Sequence, residues 1–277
     1  MMIGNNYLAV NTCGINQGLS HIVYFYSLSL LNFISITVAA AVIVLFCLCL
    51  TFNIGSHMPI AQILQDRSST RAFLDTPVAE ETLKTIFSHA QLAASNCNVQ
   101  PWQTCVVSGS TKDKLKAKFM ESLMSGAQPN PDFNWLPKYQ GIHRERQFGS
   151  ANALYTSLGI PREDKKARQM AMIRNWQFFD APHAVFFTMD KYLDIMGAVD
   201  LGIYAQSLAL LLNEHGLANC MQGALGQFPD PVREILQLPQ ERGVLFGMSF
   251  GYADNSADAN KTRTDRADID TAVTFYN

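Results

Sequence analysis

The feature that most constrains the fold is an abrupt change in charge content near residue 66. Residues 1–65 contain no Asp, Glu, Lys or Arg, and Asp66 is the first charged residue of the 277. From Met58 onward, helical and strand patterns alternate with short loops, as in a globular domain. We therefore divide the chain into an apolar, uncharged leader, residues 1–57, and a globular domain, residues 58–277.

The leader contains a possible transmembrane segment. Residues 31–52 are a predominantly apolar run, which at about 1.5 Å per residue can cross a hydrocarbon layer of roughly 30 Å. However, no Lys or Arg flanks this run before Arg67, so the usual orientation signal of a membrane helix is missing. Residues 55–58, Gly-Ser-His-Met, match the remnant of a cleaved purification tag before a start methionine. We expect the native protein to begin at Met58, with a genuine membrane anchor as the alternative.

Charge and cysteine content exclude several classes of protein. The net charge is −2, whereas nucleic-acid-binding proteins carry a basic surplus. The six cysteines are few and irregularly spaced, which excludes a disulfide scaffold and favours reduced thiols in the cytoplasm. Cys97 and Cys105 have no neighbouring partner that marks a nucleophile, so we expect both to be buried and inert.

The globular domain is predicted to contain both helices and strands. Its helical patterns cover residues 77–94, 111–125, 144–158, 163–176 and 194–215, and its apolar strand patterns cover residues 103–108, 184–189 and 243–251. Strands interleaved with helices indicate a three-layer α/β or α+β sandwich. The helix at 194–215 is apolar nearly all round, so it should be buried or form a subunit interface.

Three polar clusters are candidate binding residues. Residues 67–71, Arg-Ser-Ser-Thr-Arg, combine two guanidinium groups with three hydroxyls, a set that suits a phosphate dianion. Residues 95–102 present Asn and Gln amides, which offer the donors and acceptors that the rim of a flavin or nucleobase requires. Residues 260–266 add three cations. Taken singly, each cluster is also explained as an exposed turn, a structural loop or a solvated tail.

The usual catalytic and metal-binding motifs are missing from the sequence. It has no Walker loop, no G-x-S-x-G elbow, no H-E-x-x-H and no C-x-x-C pair. The glycines of residues 247–251 lie within a strand pattern, so they form no dinucleotide fingerprint. We therefore predict no metal site and no catalytic side chain.

In combination, the three clusters resemble the FMN-dependent nitroreductase family. The motifs are R-x-S-x-R at residues 67–71, S-x-x-N-x-Q-P-W at 95–102 and N-x-x-R-x-x-R at 260–266. The similarity continues through residues 178–185, 200–217, 221–224 and 246–254, so it covers residues 58–277 and none of the leader. It is greatest to the branch that includes 4-nitrobenzoate reductases. One departure is Ala94-Ser95-Asn96, where family members usually have Pro-Ser-Ser.

The resemblance implies a fold and an assembly. It implies an α+β, nitroreductase-like three-layer sandwich, in which helices flank a central, mainly antiparallel sheet. It also implies a domain-intertwined homodimer with FMN at the subunit interface, contacted by both chains.

The resemblance also assigns residues to the cofactor. The first basic cluster, residues 67–71, and the two arginines of the C-terminal basic cluster, residues 260–266, are implied to bind the phosphate and the flavin edge. The amide loop, residues 95–102, is implied to contact the flavin rim of the partner chain, and a backbone N–H is implied to face flavin N5. The implied cofactor-binding residues are Arg67, Ser68, Ser69, Arg71, Ser95, Asn96, Asn98, Gln100, Gln222, Gly223, Arg263 and Arg266. The proline-broken loop at 129–140 suggests a substrate lid that carries Phe133, Trp135 and Tyr139, with a mobile surface insertion as the alternative.

The implied activity is reduction of a nitroaromatic or quinone by NADPH or NADH in a ping-pong cycle. The flavin supplies the hydride and electron chemistry, which is consistent with the lack of a catalytic side chain. One alternative is another flavin reaction on the same fold, such as reductive dehalogenation or flavin cleavage. A second is a non-catalytic flavin-binding module tethered to a membrane by residues 31–52.

Overall fold

The computed structural model describes residues 59–134 and 138–277. The leader, its possible membrane segment, the tag-like residues 55–58 and Trp135 lie outside the described residues. The helices are α1 (Ile60–Asp66), α2 (Glu80–Ala90), α3 (Gly109–Met124), α4 (Gly141–Ser157), α5 (Lys165–Ile173), α6 (Asp194–Glu214) and α7 (Pro229–Leu236). The strands are β1 (Gln103–Ser108), β2 (His183–Asp190), β3 (Ala218–Gln222) and β4 (Arg242–Gly251).

The four strands form one antiparallel sheet in the order β1-β2-β4-β3. In the sheet centre, Val185 of β2 pairs with Val106 of β1 and with Met248 of β4. Seven of the eight β2 residues are buried, as expected for a strand that is covered on both faces. The predicted α+β class with a mainly antiparallel central sheet is confirmed.

Helices cover both faces of this sheet and complete the three layers. Because successive strand residues point to opposite faces, Val185 and Phe187 pack on one side and Ala184 and Phe186 on the other. On the first side, α2 and α6 contribute Ile86, Leu201, Tyr204 and Leu208 to the larger core. On the second side, α3, α7 and nearby turns contribute Leu115, Phe119, Trp176 and Val232.

Helix α6 is the long apolar helix that the sequence predicts. Together with the turn before it, Lys191–Glu214, it is the described segment that is long and apolar enough to span a membrane. One side of α6 packs in the larger core, which accounts for much of its apolar sequence. It ends before Gly216, whose φ of +72° is the left-handed conformation that commonly stops a helix. Its other side leaves four apolar residues exposed: Ile195, Met196, Val199 and Ile203.

Several element boundaries differ from the sequence predictions. Helix α2 begins at Glu80 rather than at Pro77, and α5 ends at Ile173 rather than at Trp176. Beyond α5, a 3₁₀ segment, Arg174–Asp180, contains two aromatic residues with left-handed φ values of 56° and 53°, Phe178 and Phe179. Both rings are buried, so tertiary packing outweighs the backbone preference there. The short elements β3 and α7 were not predicted as a strand and a helix.

Asp132 fixes the first part of the proline-broken loop to the sheet. Its carboxylate accepts hydrogen bonds from Arg233 at 2.7 and 2.9 Å, from Lys191 at 2.8 Å and from the Val244 N–H at 2.9 Å. Burial alone would raise the pKa of Asp132, but these hydrogen bonds outweigh it and hold the pKa below its ordinary value. The loop is therefore anchored where β4 begins.

Candidate functional site

The first basic cluster lies along the outer edge of the sheet. Ser69 forms a parallel bridge with Asn219 of the edge strand β3, and the Thr70 N–H donates to the Asn219 carbonyl oxygen at 3.0 Å. Farther along, the Leu74 N–H donates to the Tyr252 carbonyl oxygen at 2.9 Å, just beyond β4. Backbone hydrogen bonds thus hold residues 69–74 against the ends of two strands.

The amide side chain of Asn260 joins the C-terminal basic cluster to the first one. Its Oδ1 accepts a hydrogen bond from the Arg71 N–H at 2.7 Å. Its Nδ2 donates to the carbonyl oxygens of Ala72 and Asp254, both at 2.8 Å. These three bonds dock the segment that carries Arg263 beside Arg71, although the two segments are almost two hundred residues apart in sequence.

The two clusters line one cavity of 360 Å³, here called the basic cavity. Its polar lining residues are Gln65, Arg67, Ser68, Ser69, Arg71, Ser150, Thr262, Arg263, Thr264 and Arg266. Among the described residues, no carboxylate lines this cavity, and none forms a salt bridge with any of the four arginines. Three of the guanidinium groups instead donate to nearby backbone carbonyl groups. Four cations without an anionic partner make this cavity a site for a strongly anionic ligand.

A second cavity of 240 Å³, here called the apolar cavity, adjoins the first one. Arg71 and Ser150 line both cavities. The remainder of its lining is largely apolar and comes from Ala151, Leu154, Tyr155, Ala171, Met172 and Phe179, with Gln147 and Asn175 as polar members. A single ligand could therefore place an anionic group in the basic cavity and an apolar group in the apolar cavity.

Gln222 is fixed next to the apolar cavity. Its Nε2 donates to the carbonyl oxygen of Asn175 at 2.8 Å, and its Oε1 accepts a hydrogen bond from the Ser249 hydroxyl. Gly223 follows it and begins a 3₁₀ turn, Gly223–Gly226, that packs against β4. A Cβ atom at Gly226 would lie 2.3 Å from the Leu245 carbonyl oxygen, so only glycine fits there.

The amide loop is strained and largely exposed. Cys97, Asn98 and Gln100 all have left-handed φ values, between 48° and 57°. The Ser95 hydroxyl accepts the Gln100 N–H at 3.0 Å, and the Asn96 N–H donates to the buried Asp200 carboxylate at 3.0 Å. A loop that is held in a costly conformation, with its amides in solvent, is typical of a binding site.

Within one chain, the structure does not bring the amide loop to the basic cavity. Of the described residues, those that line the basic and apolar cavities include none from the amide loop. The two described lid residues, Phe133 and Tyr139, do not line them either. Phe133 packs over Gly243, at the opposite end of β4 from the Tyr252 contact, and Tyr139 is exposed. The roles predicted for Phe133, Tyr139 and the amide loop remain predictions.

The three described cysteines are free thiols with different surroundings. Burial raises the pKa of Cys220, which lies on β3 next to the basic cluster, although Arg71, the Ser69 hydroxyl and Arg67 act in the opposite direction. Burial also raises the pKa of the half-buried Cys105. Both thiols are therefore poor nucleophiles at neutral pH. The expectation that Cys97 is buried was wrong, because the left-handed loop carries it on the surface.

Several residues that line the two cavities, among them Ser150 and Asn175, were not predicted from the sequence. Ser150 lies in the middle of α4 and Asn175 in the 3₁₀ segment after α5, and neither belongs to a recognisable motif. For Ser150, helical spacing gives no signal, because α4 has no buried residues to define an inner face. Among the described residues, no group of three or more His, Cys, Asp or Glu side chains could hold a metal ion.

Comparison with known proteins identifies the family of this chain. A family model described as the Nitroreductase family matches residues 64–252. The nitroreductase NfnB of Mycolicibacterium smegmatis is 34% identical over 230 residues, which cover 81% of this chain and 97% of that protein. The 4-nitrobenzoate reductase of Pseudomonas putida is 32% identical over 208 residues, 74% of this chain and 89% of the relative.

A solved structure agrees with these sequence matches. It is described as the FMN-dependent nitroreductase NfnB from Mycobacterium smegmatis in complex with NADPH. It has a TM-score of 0.75 at 34% identity and covers 79% of this chain and 98% of its own. The chain belongs to the nitroreductase family.

Proposed function

We propose that this protein is an FMN-dependent oxidoreductase that reduces nitroaromatic or quinone acceptors with electrons from NAD(P)H. The observation that carries the proposal is the basic cavity, where four guanidinium groups and several hydroxyls converge without a described carboxylate. A phosphate monoester dianion, such as that of FMN, fits this set of donors. The names of the relatives above, which include FMN-dependent and NADPH-bound proteins, support the same cofactors.

The residues of the two cavities fit both parts of FMN. Arg67, Ser69, Arg263 and Arg266 would bind the phosphate, and the apolar cavity offers a surface for the ring. Arg71 lines both cavities, so its guanidinium can also face the edge of the ring. A fixed positive charge there favours the electron-rich reduced state of a flavin.

The protein supplies binding and orientation rather than a reacting side chain. When bound, FMN provides the hydride and electron chemistry. Gln222, held by Asn175 and Ser249, fixes the backbone at Gly223, whose N–H is proposed to face flavin N5. The protonated Cys220 thiol takes no covalent part, because burial raises its pKa.

The site is proposed to be completed by a second copy of the chain. The exposed amide loop, with Ser95, Asn96, Asn98 and Gln100, would reach the flavin of the partner. The exposed apolar residues of α6, such as Ile195 at 72% exposure, support an apolar interface. Helix α4, which has no buried residues, supports the same assembly because an isolated chain leaves it without a core contact.

A spectroscopic and kinetic experiment tests the proposed function. The purified protein should be yellow, should be bleached by NADPH without oxygen and should recover its colour when 4-nitrobenzoate is added. Steady-state rates at varied NADPH and 4-nitrobenzoate should give parallel double-reciprocal lines, as a ping-pong cycle requires. A halogenated phenol as the acceptor tests the alternative of reductive dehalogenation. A colourless protein that does not oxidise NADPH would contradict the proposal.

A double variant tests the assignment of the phosphate site. We expect Arg71→Ala with Arg266→Ala to lose FMN on dialysis, because two of the four cations of the basic cavity are removed. The control is Lys84→Ala with Lys114→Ala, which removes the same charge from α2 and α3. If the first double variant retained stoichiometric FMN, the assignment would be wrong.

The place of this enzyme in the cell is also part of the proposal. We propose that residues 58–277 act in the cytoplasm and that residues 1–57 are dispensable. Deletion of residues 1–57 should leave activity and solubility intact. Sedimentation of the full-length chain with membranes would instead support residues 31–52 as a genuine anchor.

A further inference from the structure

A third cavity lies between helices α4 and α5. It has a volume of 590 Å³ and is here called the helix-pair cavity. Its lining combines three cations, Arg162, Lys165 and Arg168, with two aromatic rings, Phe148 and Tyr155. Within the described part of the chain, no carboxylate lines this cavity, and none forms a salt bridge with these three cations. The function proposed above assigns nothing to it.

Arg168 is held in place for an anionic ligand. Its Nε donates to the Pro161 carbonyl oxygen at 3.1 Å, and its guanidinium carbon lies 4.3 Å from the centre of the Tyr155 ring. The nearby Asp164 uses one carboxylate oxygen to accept the Ala167 N–H at the start of α5. The remaining guanidinium nitrogens of Arg168 therefore form a pre-oriented fork, which suits a phosphate better than a flexible lysine would.

The helix-pair cavity adjoins the proposed flavin site. Tyr155 and Met172 line both it and the apolar cavity, and Arg71 and Ser150 line both the apolar and the basic cavity. A ligand that extends from the flavin ring to the helix-pair cavity must be long. It would react with the flavin at one end, and its other end would carry an anionic group for the three cations and an aromatic group for the two rings. A pyridine dinucleotide has this shape.

We propose that the helix-pair cavity binds the 2′-phosphoadenosine end of NADPH and so makes this enzyme prefer NADPH to NADH. The inference rests on the proposed function. The 2′-phosphate is the group that distinguishes the two donors, and it carries more negative charge than a single carboxylate. Three cations suit that dianion, and the half-exposed Phe148 ring offers apolar surface to the adenine.

Binding of adenosine 2′,5′-bisphosphate to the holoenzyme tests the proposal apart from turnover. Calorimetry should show tighter binding of this compound than of adenosine 5′-monophosphate. We expect Lys165→Ala and Arg168→Ala each to weaken its binding about tenfold, the effect of losing one hydrogen bond to a charged group. Arg168→Lys keeps the charge but not the fork, and it should lose most of the same affinity.

The matched control is Lys166→Ala. Lys166 is adjacent to Lys165 on α5 but does not line the cavity, so its removal changes the net charge equally. It should change the affinity for the bisphosphate less than twofold. In steady-state assays, the ratio of kcat/KM for NADPH to that for NADH should fall about tenfold in Lys165→Ala and Arg168→Ala, and less than twofold in Lys166→Ala.

Specific outcomes would overturn this inference. Equal effects of Lys165→Ala and Lys166→Ala would show that only long-range charge matters, and equal affinity for the mono- and bisphosphate would exclude a 2′-phosphate site. Displacement of the bisphosphate by 4-nitrobenzoate alone would assign the cavity to the acceptor instead. A wild-type protein that oxidises both donors equally would overturn this inference alone, whereas one that oxidises neither would overturn the proposed function.

Discussion

Asn260→Ala tests whether one amide side chain assembles the basic cavity. The variant removes a hydrogen bond from the Arg71 N–H and two that Asn260 donates to the carbonyl oxygens of Ala72 and Asp254. These bonds hold the segment that carries Arg263 and Arg266 against the edge of the sheet. We expect this segment to detach more often in the variant, so that two of the four cations leave the cavity.

The expected loss can be worked out from these contacts. A hydrogen bond of this kind contributes a net 0.5–1.5 kcal/mol, and three of them would give about 3 kcal/mol. Because Asn260 is half-buried, hydrogen bonds to water compensate for part of the loss in the variant. We therefore take about 2 kcal/mol as the loss in the free energy of docking of the segment. Such a change is roughly 30-fold in the docking equilibrium. The affinity for FMN should fall by up to this factor.

Release of FMN from the diluted holoenzyme measures the effect, because free flavin fluoresces more strongly than bound flavin. The control is Asn130→Ala, which removes an exposed amide that donates to Asp230 at 3.0 Å on another part of the fold. Its FMN affinity should change less than twofold. If folded Asn260→Ala, verified by circular dichroism, retained FMN as the wild type does, the docking argument would be refuted.

Three further predictions concern stability and assembly. Burial, with a smaller effect of Lys112, lowers the pKa of His183 below 6.5, so the unfolded chain binds a proton at higher pH than the folded chain. The melting temperature should therefore fall as the pH drops below about 6.5, and His183→Phe should flatten this dependence. Asp132→Ala leaves the nearly buried Arg233 unpaired and should lower the free energy of unfolding in urea by about 3 kcal/mol. When equal amounts of the inactive Arg71→Ala chain and the inactive Asn98→Ala chain are refolded as a mixture, up to about a quarter of wild-type activity should return. Half of the dimers then contain one chain of each kind, and each such dimer has one intact site. No recovery would contradict a site shared between subunits.

The chemistry of the site was predictable where it is local in sequence. Two arginines and a serine within residues 67–71 indicate phosphate binding because their donors lie within a few residues, whatever the fold. The central strands were predictable for a similar reason. A strand that is covered on both faces needs a continuous apolar run, and β2 and β4 show one.

Other features depend on contacts that no local pattern encodes. Cys97 was expected in the interior, but the left-handed turn that exposes it is imposed by hydrogen bonds of its loop, one of which reaches Asp200 on α6. The end of α5 is similar. Its helical pattern continues to Trp176, yet burial of Phe178 and Phe179 tightens the backbone into a 3₁₀ segment. In both places tertiary packing decides the backbone.

The position of the site follows from a short edge strand. β3 has only five residues, and its sequence Ala-Asn-Cys-Met-Gln carries little strand signal, so it forms because β4 pairs with it along its length. The edge of β3 that faces away from β4 is then free to pair with the segment that begins at Ser69. The bridge between Ser69 and Asn219 occupies part of this edge. That pairing places Arg67 and Arg71 at the margin of the sheet, where the Asn260 segment can dock beside them. A short strand of weak intrinsic propensity therefore determines where the anion-binding residues converge, and no local sequence pattern encodes that convergence.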